Sequence, residues 1–284
     1  MIVKTRKKKK IELFHILNAV IMVLLAIIFI TPFWMMITAS VSDDMALTLN
    51  GLSVWFRGFQ TDSYTELFAK GSLVRSLGVT IFVSLATAFL TVVVCTGAAY
   101  VLSRKKLAGR KFFTWYFMIP MFFSGGTIPL YLVIRNIGLY DSVWALILPN
   151  VANIYSIVLM RNYFYGLPES LCEAADIDGA NELQKLIRIY CPLATPMMFT
   201  IGLISFVTRW NNWLDSLMYL SVKNEGLWMI QYVLRKILEN NPQEPSPVSV
   251  KNAAIVIVTL PLILASPILH KYFAKGVTAG AVKG

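Results

Sequence analysis

EAADIDGANELQKLIRIYCPLATP, residues 173–196, is a polar, small-residue-rich segment set between two long apolar stretches. Leu183, Leu186, Ile187 and Tyr190 recur at helical spacing and predict one apolar stripe. Upstream, Ala174, Ala175, Gly179 and Ala180 carry little side chain, so another backbone can approach closely. Gly179 can take a positive φ and turn one short helix into the next. Glu173, Asp176, Asp178 and Glu182 make the face acidic. Anionic lipid headgroups favour a basic face, so the expected contact is a protein socket. Pro168 is placed to open the first helix and Pro192 to stop the second.

Working outward, the chain has 284 residues, 57% hydrophobic and 14% charged. Soluble domains carry about 25% charged residues, so this balance reads as a polytopic membrane protein. Six apolar segments qualify as spans: about 13–37, 76–102, 112–134, 142–161, 197–221 and 253–270. The first is longer than a cleaved leader's core, and Pro32 to Met36 is not a small-residue cleavage site. No repeat and no low-complexity linker interrupts the chain. The expected organisation is a basic N-terminus over 1–12, one membrane domain over 13–275 and a tail over 276–284.

Charge sets the orientation. The net charge is +11, and one side of a six-span chain collects 17 of the 26 Lys and Arg residues. These include the run at 4–10 and the loop SRKKLAGRK at 103–111. By the positive-inside rule both termini and the 168–196 loop face the cytoplasm. The basic run abuts a span, so it reads as a topology and lipid-headgroup signal and not as a nucleic-acid site.

The spacing of Glu173, Ala174, Ala175, Gly179, Ile189 and Pro192 resembles the EAA loop of bacterial ABC importer permeases. Cys191 stands where that pattern has Leu, the one departure. GAAYVLSR (97–104) with AGRK (108–111) is similar to the end of the second helix of carbohydrate-importer permeases. IPLYLVIRNIGLYDSVWALILPN (128–150) resembles their third and fourth helices, TRWNNWLDSLMYL (208–220) their fifth, and KYFAKGVTAGAVKG (271–284) their tail. Asp215 and Ser216 depart from an aromatic and Pro in the fifth-helix pattern.

The resemblance implies an all-α polytopic membrane protein with six transmembrane helices, the type I ABC importer permease fold and a cytoplasmic EAA coupling helix. It is similar to the smaller permease of the maltose importer. The implied partners are a second homologous permease, a cytoplasmic ATPase dimer, an extracytoplasmic solute-binding protein and membrane lipid. ATP and Mg would be bound by the ATPase, with no cofactor in this chain. The resemblance assigns ATPase coupling to Glu173, Ala174, Ala175, Asp178, Gly179, Ile189 and Pro192, and to the tail through Gly280 and Lys283. The implied location is the bacterial cell membrane.

Other function classes fare worse. An intramembrane enzyme needs an activated nucleophile, an Asp pair or a metal site. The chain has only His15 and His270, both at span ends, and one clear intramembrane carboxylate, Asp215. Cys95, Cys172 and Cys191 predict no disulfide and no metal site. No G-x-x-x-x-G-K-[ST] occurs, so the chain is not itself an ATPase. Phe123 to Gly126 and the glycine-rich tail are decoys; the first glycines are expected to loosen the third span.

In the fifth span Arg209, Trp210, Asn211 and Asp215 are candidates for a substrate path. An ionised Arg is costly against lipid, so Arg209 is expected to face a pore or another subunit. Six residues separate Arg209 from Asp215, so on a regular helix they do not pair. Trp210 could stack on a sugar ring and Asn211 could bond a hydroxyl. Leu227, Ile230, Val233 or Leu234, and Ile237 predict a short amphipathic helix in the outer segment 222–252.

Overall fold

The structure is a computed structural model that describes residues 13–105, 107–123, 125–239 and 246–281, by backbone alone at Leu13 and over 268–281. The described residues form helices and no named strand, only an isolated bridge between Ser42 and Phe59. In order they are α1 (Leu13–Ser40), α2 (Asp44–Asn50), α3 (Asp62–Ala69), α4 (Ser72–Ser103), α5 (Arg110–Phe122), α6 (Thr127–Asn136), α7 (Val143–Ile147) and α8 (Ile154–Tyr165). There follow α9 (Ser170–Ile177), α10 (Glu182–Lys185), a π turn (Leu186–Tyr190), α11 (Cys191–Leu193), α12 (Thr195–Trp210), α13 (Leu214–Tyr219), α14 (Ile230–Leu238) and α15 (Val248–Ala281).

Among the described residues three helices are long and apolar enough to cross a membrane, and three bent pairs raise the number to six if each pair is one span. The expected first, second and sixth spans are the continuous helices α1, α4 and α15. The expected third span is two helices, parted at 123–126 where Gly126 takes φ +88°. The fourth bends by 43° between α7 and α8, across a 3-10 turn at Leu148–Asn150 that contains Pro149. The expected fifth span, 197–221, is also not one helix: α12 stops at Trp210 and α13 starts at Leu214.

The chain divides into two compact units, 1–69 with 240–257 and 70–239 with 258–284. In the first, Asp43 caps α2 by accepting from the Ala46 amide at 3.0 Å, and Ser249 donates to Asp44 through its amide at 3.1 Å. These carboxylates satisfy amides that a helix start would otherwise leave bare.

The second unit is built on α4. Ser76, Thr80, Thr87, Thr91, Cys95 and Ala99 lie buried along one side of it, while Phe82, Leu85, Phe89 and Val93 are exposed. Hydropathy alone would turn the large residues inward. In lipid there is no such drive, and small residues mark the side where helices approach closely. α8 and α12 pack on that side, with Thr91 and Ser205 hydroxyls 3.2 Å apart across the seam. The start of α14 is tied down in the same way. Thr80 Oγ1 accepts from the Ile230 amide at 2.8 Å and Ser216 Oγ from the Met229 amide at 3.1 Å. Ile230, Val233 and Leu234 are buried, as the amphipathic spacing predicts.

Candidate coupling loop and fifth-helix site

The EAA segment folds as a helix, a tight turn and a second helix. α9 ends at Ile177 and Gly179 takes φ +72°. The Ala180 amide donates to the Ala175 carbonyl at 2.9 Å and the Gly179 amide to the Asp176 carbonyl at 3.2 Å. That is a Schellman turn, which favours a residue free to adopt the left-handed region. Asn181 then opens α10 with a capping box: its Oδ1 accepts from the Gln184 amide at 2.9 Å, and Gln184 Oε1 accepts from the Asn181 amide at 3.0 Å. A Cβ placed on Gly179 would meet nothing within 4 Å, so the turn stands open to an approaching partner.

Two expectations for this segment are corrected. The stripe of Leu183, Leu186, Ile187 and Tyr190 is split. Tyr190 is buried and Leu186 and Ile189 pack beside it, while Leu183 and Ile187 are exposed. The wider π turn at Leu186–Tyr190 rotates the later residues away from α-helical register. Pro192 does not stop the helical run at once. α11 continues to Leu193, and the 81° bend to α12 falls at Ala194.

The acidic face is also smaller than the sequence suggests. Lys185, only 5% exposed, pairs with Asp176 and donates to Glu182 Oε1 at 2.7 Å. One lysine thus clamps the two halves of the loop. Glu182 Oε2 accepts from the Tyr100 hydroxyl at 2.7 Å and lies 3.4 Å from Arg104 Nε. Arg104, at the C-terminal cap of α4, sits between the rings of Tyr100 and Tyr190, 4.3 and 4.7 Å from their centroids. Its Nη1 donates to Cys172 Sγ at 3.0 Å and to the Tyr190 hydroxyl at 3.2 Å. These groups line a cleft of about 660 Å³. Hydrogen bonds and ring contacts thus tie the loop to the end of α4.

Glu173, Ala174, Asp178 and Gly179 remain exposed, whereas Ala175 is buried. Ile177, which spacing did not single out, is 87% exposed at the turn. Gly280 lies on α15 where the backbone alone is described, and Lys283 lies outside the described residues. Sequence reasoning missed the Arg104 cage, although SRKK at the end of α4 and a lone Lys185 among acids were visible.

The clamp gives a pH dependence. The hydrogen bonds from Lys185, then from Tyr100, hold the Glu182 carboxyl below the usual range. A depressed carboxylate stabilises the fold above its unfolded value of ~4.3, and the gain is lost as pH falls through the lower folded value. The thermal midpoint of the protein is thus expected to exceed that of Glu182→Gln at neutral pH. The gap should persist through mildly acidic pH and close below about 4; a gap that closes between about pH 6 and 8 would refute the clamp.

At the fifth helix, Arg209 and Asp215 do pair, contrary to the regular-helix expectation. The chain turns between α12 and α13, and Asn212 Oδ1 accepts from the Asp215 amide at 2.9 Å. The turn carries Asp215 back over Arg209, whose Nη1 and Nη2 donate to Asp215 Oδ2 at 2.8 and 2.9 Å. Asn150 Nδ2 donates to the same oxygen at 3.1 Å. Arg209 is 2% and Trp210 1% exposed, so Trp210 presents no ring face for a sugar and packs against Phe206. Asn211 alone of the four candidates is exposed, its Oδ1 accepting from Gln231 Nε2 at 3.4 Å. Among the described residues no cluster of His, Cys, Asp and Glu could hold a metal ion.

This arrangement is that of a helical membrane permease. No family model matches the chain. It is 34% identical over 97% of its length, and all of the relative's, to the polygalacturonan/rhamnogalacturonan transport system permease protein YtcP of Bacillus subtilis (strain 168). It is 29% identical to the trehalose/maltose transport system permease protein MalG of Thermococcus litoralis, covering 92% of this chain and 94% of the relative. Its fold matches a crystal structure of a bacterial ABC transporter involved in the import of the acidic polysaccharide alginate. The TM-score is 0.83 at 29% identity, over 92% of this chain and 96% of that one. The chain belongs to the family of sugar ABC transporter permeases.

Proposed function

We propose that this chain is one of two permease subunits of an ATP-driven saccharide importer, and that the 168–196 loop receives the ATPase. The observation that carries this is the open Schellman turn at Gly179, clamped by Lys185 and wired to α4 through Arg104. An exposed, rigid knob of small residues with Ile177 at its tip suits insertion into a socket. ATP and Mg belong to the partner ATPase pair. Closure of that pair would push the loop, and α4 with the helices packed on it would move as a body between two arrangements. The tail at 276–284 is a second contact with the ATPase, and a binding protein delivers the saccharide from outside. Six spans would leave both termini on one side of the membrane, and the excess of Lys and Arg on that side makes it the cytoplasmic one.

Reconstitution of the four-component complex in proteoliposomes tests the reading. Saccharide uptake should require ATP on the loop side; uptake that follows an ion gradient without ATP would overturn it. Orientation is tested separately. Val222 is 74% exposed and belongs to the proposed outer segment. In intact cells an impermeant thiol reagent should label Val222→Cys and not Ile177→Cys, each scored against the unsubstituted chain. The reverse pattern would invert the topology.

A further inference from the structure

A recess of about 410 Å³ opens between the α12–α13 turn and α14, lined by Trp213, Gln231, Leu234, Arg235, Leu238 and Glu239. Its organising feature is Arg235. The guanidinium carbon lies 3.7 Å from the centroid of the Trp213 ring, so the planar group is held against the indole. Nε donates to Glu239 Oε1 at 2.7 Å, which fixes the rotation of the fork. Among the described residues no other hydrogen bond occupies the guanidinium, and its two terminal nitrogens remain free for a ligand.

We infer that this recess is a binding subsite for an acidic saccharide unit, with Arg235 taking the sugar carboxylate. A guanidinium fork matches a carboxylate by two parallel hydrogen bonds, and orienting it beforehand removes part of the entropy cost. Glu239 engages the Nε edge and leaves the terminal nitrogens free. Lys236, over the Trp228 ring on the same helix, keeps the local field positive. Gln231 and Asn211, already 3.4 Å apart, supply amide groups for hydroxyls. Leu238, exposed at the edge of the recess, offers apolar surface to the C–H face of a pyranose. A neutral saccharide would leave the fork without a partner.

The inference rests on the proposed import function and adds the class of substrate and the residue that selects it. Transport kinetics report a transient contact of this kind best. The test is ATP-driven uptake of α-1,4-linked trigalacturonate and of maltotriose by the complete complex in proteoliposomes. Arg235→Gln should raise the trigalacturonate concentration for half-maximal uptake about tenfold or more, the worth of a charge-assisted hydrogen bond. Arg235→Lys, which keeps charge but loses the fork, should fall between. Arg235→Gln should leave any maltotriose uptake unaltered. A trigalacturonate curve for Arg235→Gln that superimposes on wild type would overturn the inference, as would wild-type uptake of maltotriose without trigalacturonate. Uptake of neither sugar by assembled wild type would overturn the import reading itself and this inference with it.

Discussion

Gly179→Leu is expected to abolish ATP-driven uptake while the protein inserts and accumulates nearly as wild type. The left-handed backbone at φ +72° costs a branched residue about 1–2 kcal/mol, and within this chain a Cβ there meets nothing within 4 Å. Neither effect unfolds a helical bundle. What the leucine does occupy is the open space over the turn, which the proposed docking reserves for a partner backbone. Gly179→Asn separates the two effects, because Asn tolerates the left-handed region; it should retain more uptake than Leu. Uptake, bound ATPase and protein level are measured together. Normal uptake by Gly179→Leu with the ATPase bound would remove the docking role.

Asp215→Ala should have the largest effect on the folded state. It leaves Arg209, 2% exposed, without its carboxylate partner, and Asn150 loses its acceptor. Removing one member of a buried ion pair costs ~3–5 kcal/mol, chiefly from the stranded charge. The expected readout is a sharp fall in assembled protein and in thermal midpoint. Arg209→Met with Asp215→Leu removes both charges and should recover much of the loss. An unchanged midpoint for Asp215→Ala would show that the pair does not hold α12 to α13.

The same residues show how far sequence reasoning reaches. The Glu173–Gly179–Pro192 spacing gave the loop and its positive φ because a tight turn leaves its mark locally, in glycine and caps. The stripe at 183–190 failed because a π turn is a change of backbone register with no composition signal of its own. Arg209 and Asp215 were placed apart because the rule used assumed one helix through 208–220, whereas the helix breaks after Trp210 and the Asn212 side chain accepts from the Asp215 amide in the turn. The Arg104 cage joins residues 100, 104, 172, 182 and 190, contacts between segments that periodicity cannot bring together. The buried stripe of α4 was legible only in its small residues, since hydropathy in a membrane span is uniform on all sides.

Photocrosslinking from position 177 tests the central claim most directly. A photoreactive residue in place of Ile177, 87% exposed at the turn, is activated in the assembled transporter in its membrane. The account predicts a crosslink to the ATPase subunit whose yield changes when ATP is bound. Crosslinks confined to lipid or to the extracytoplasmic binding protein, with the ATPase present and active, would contradict it.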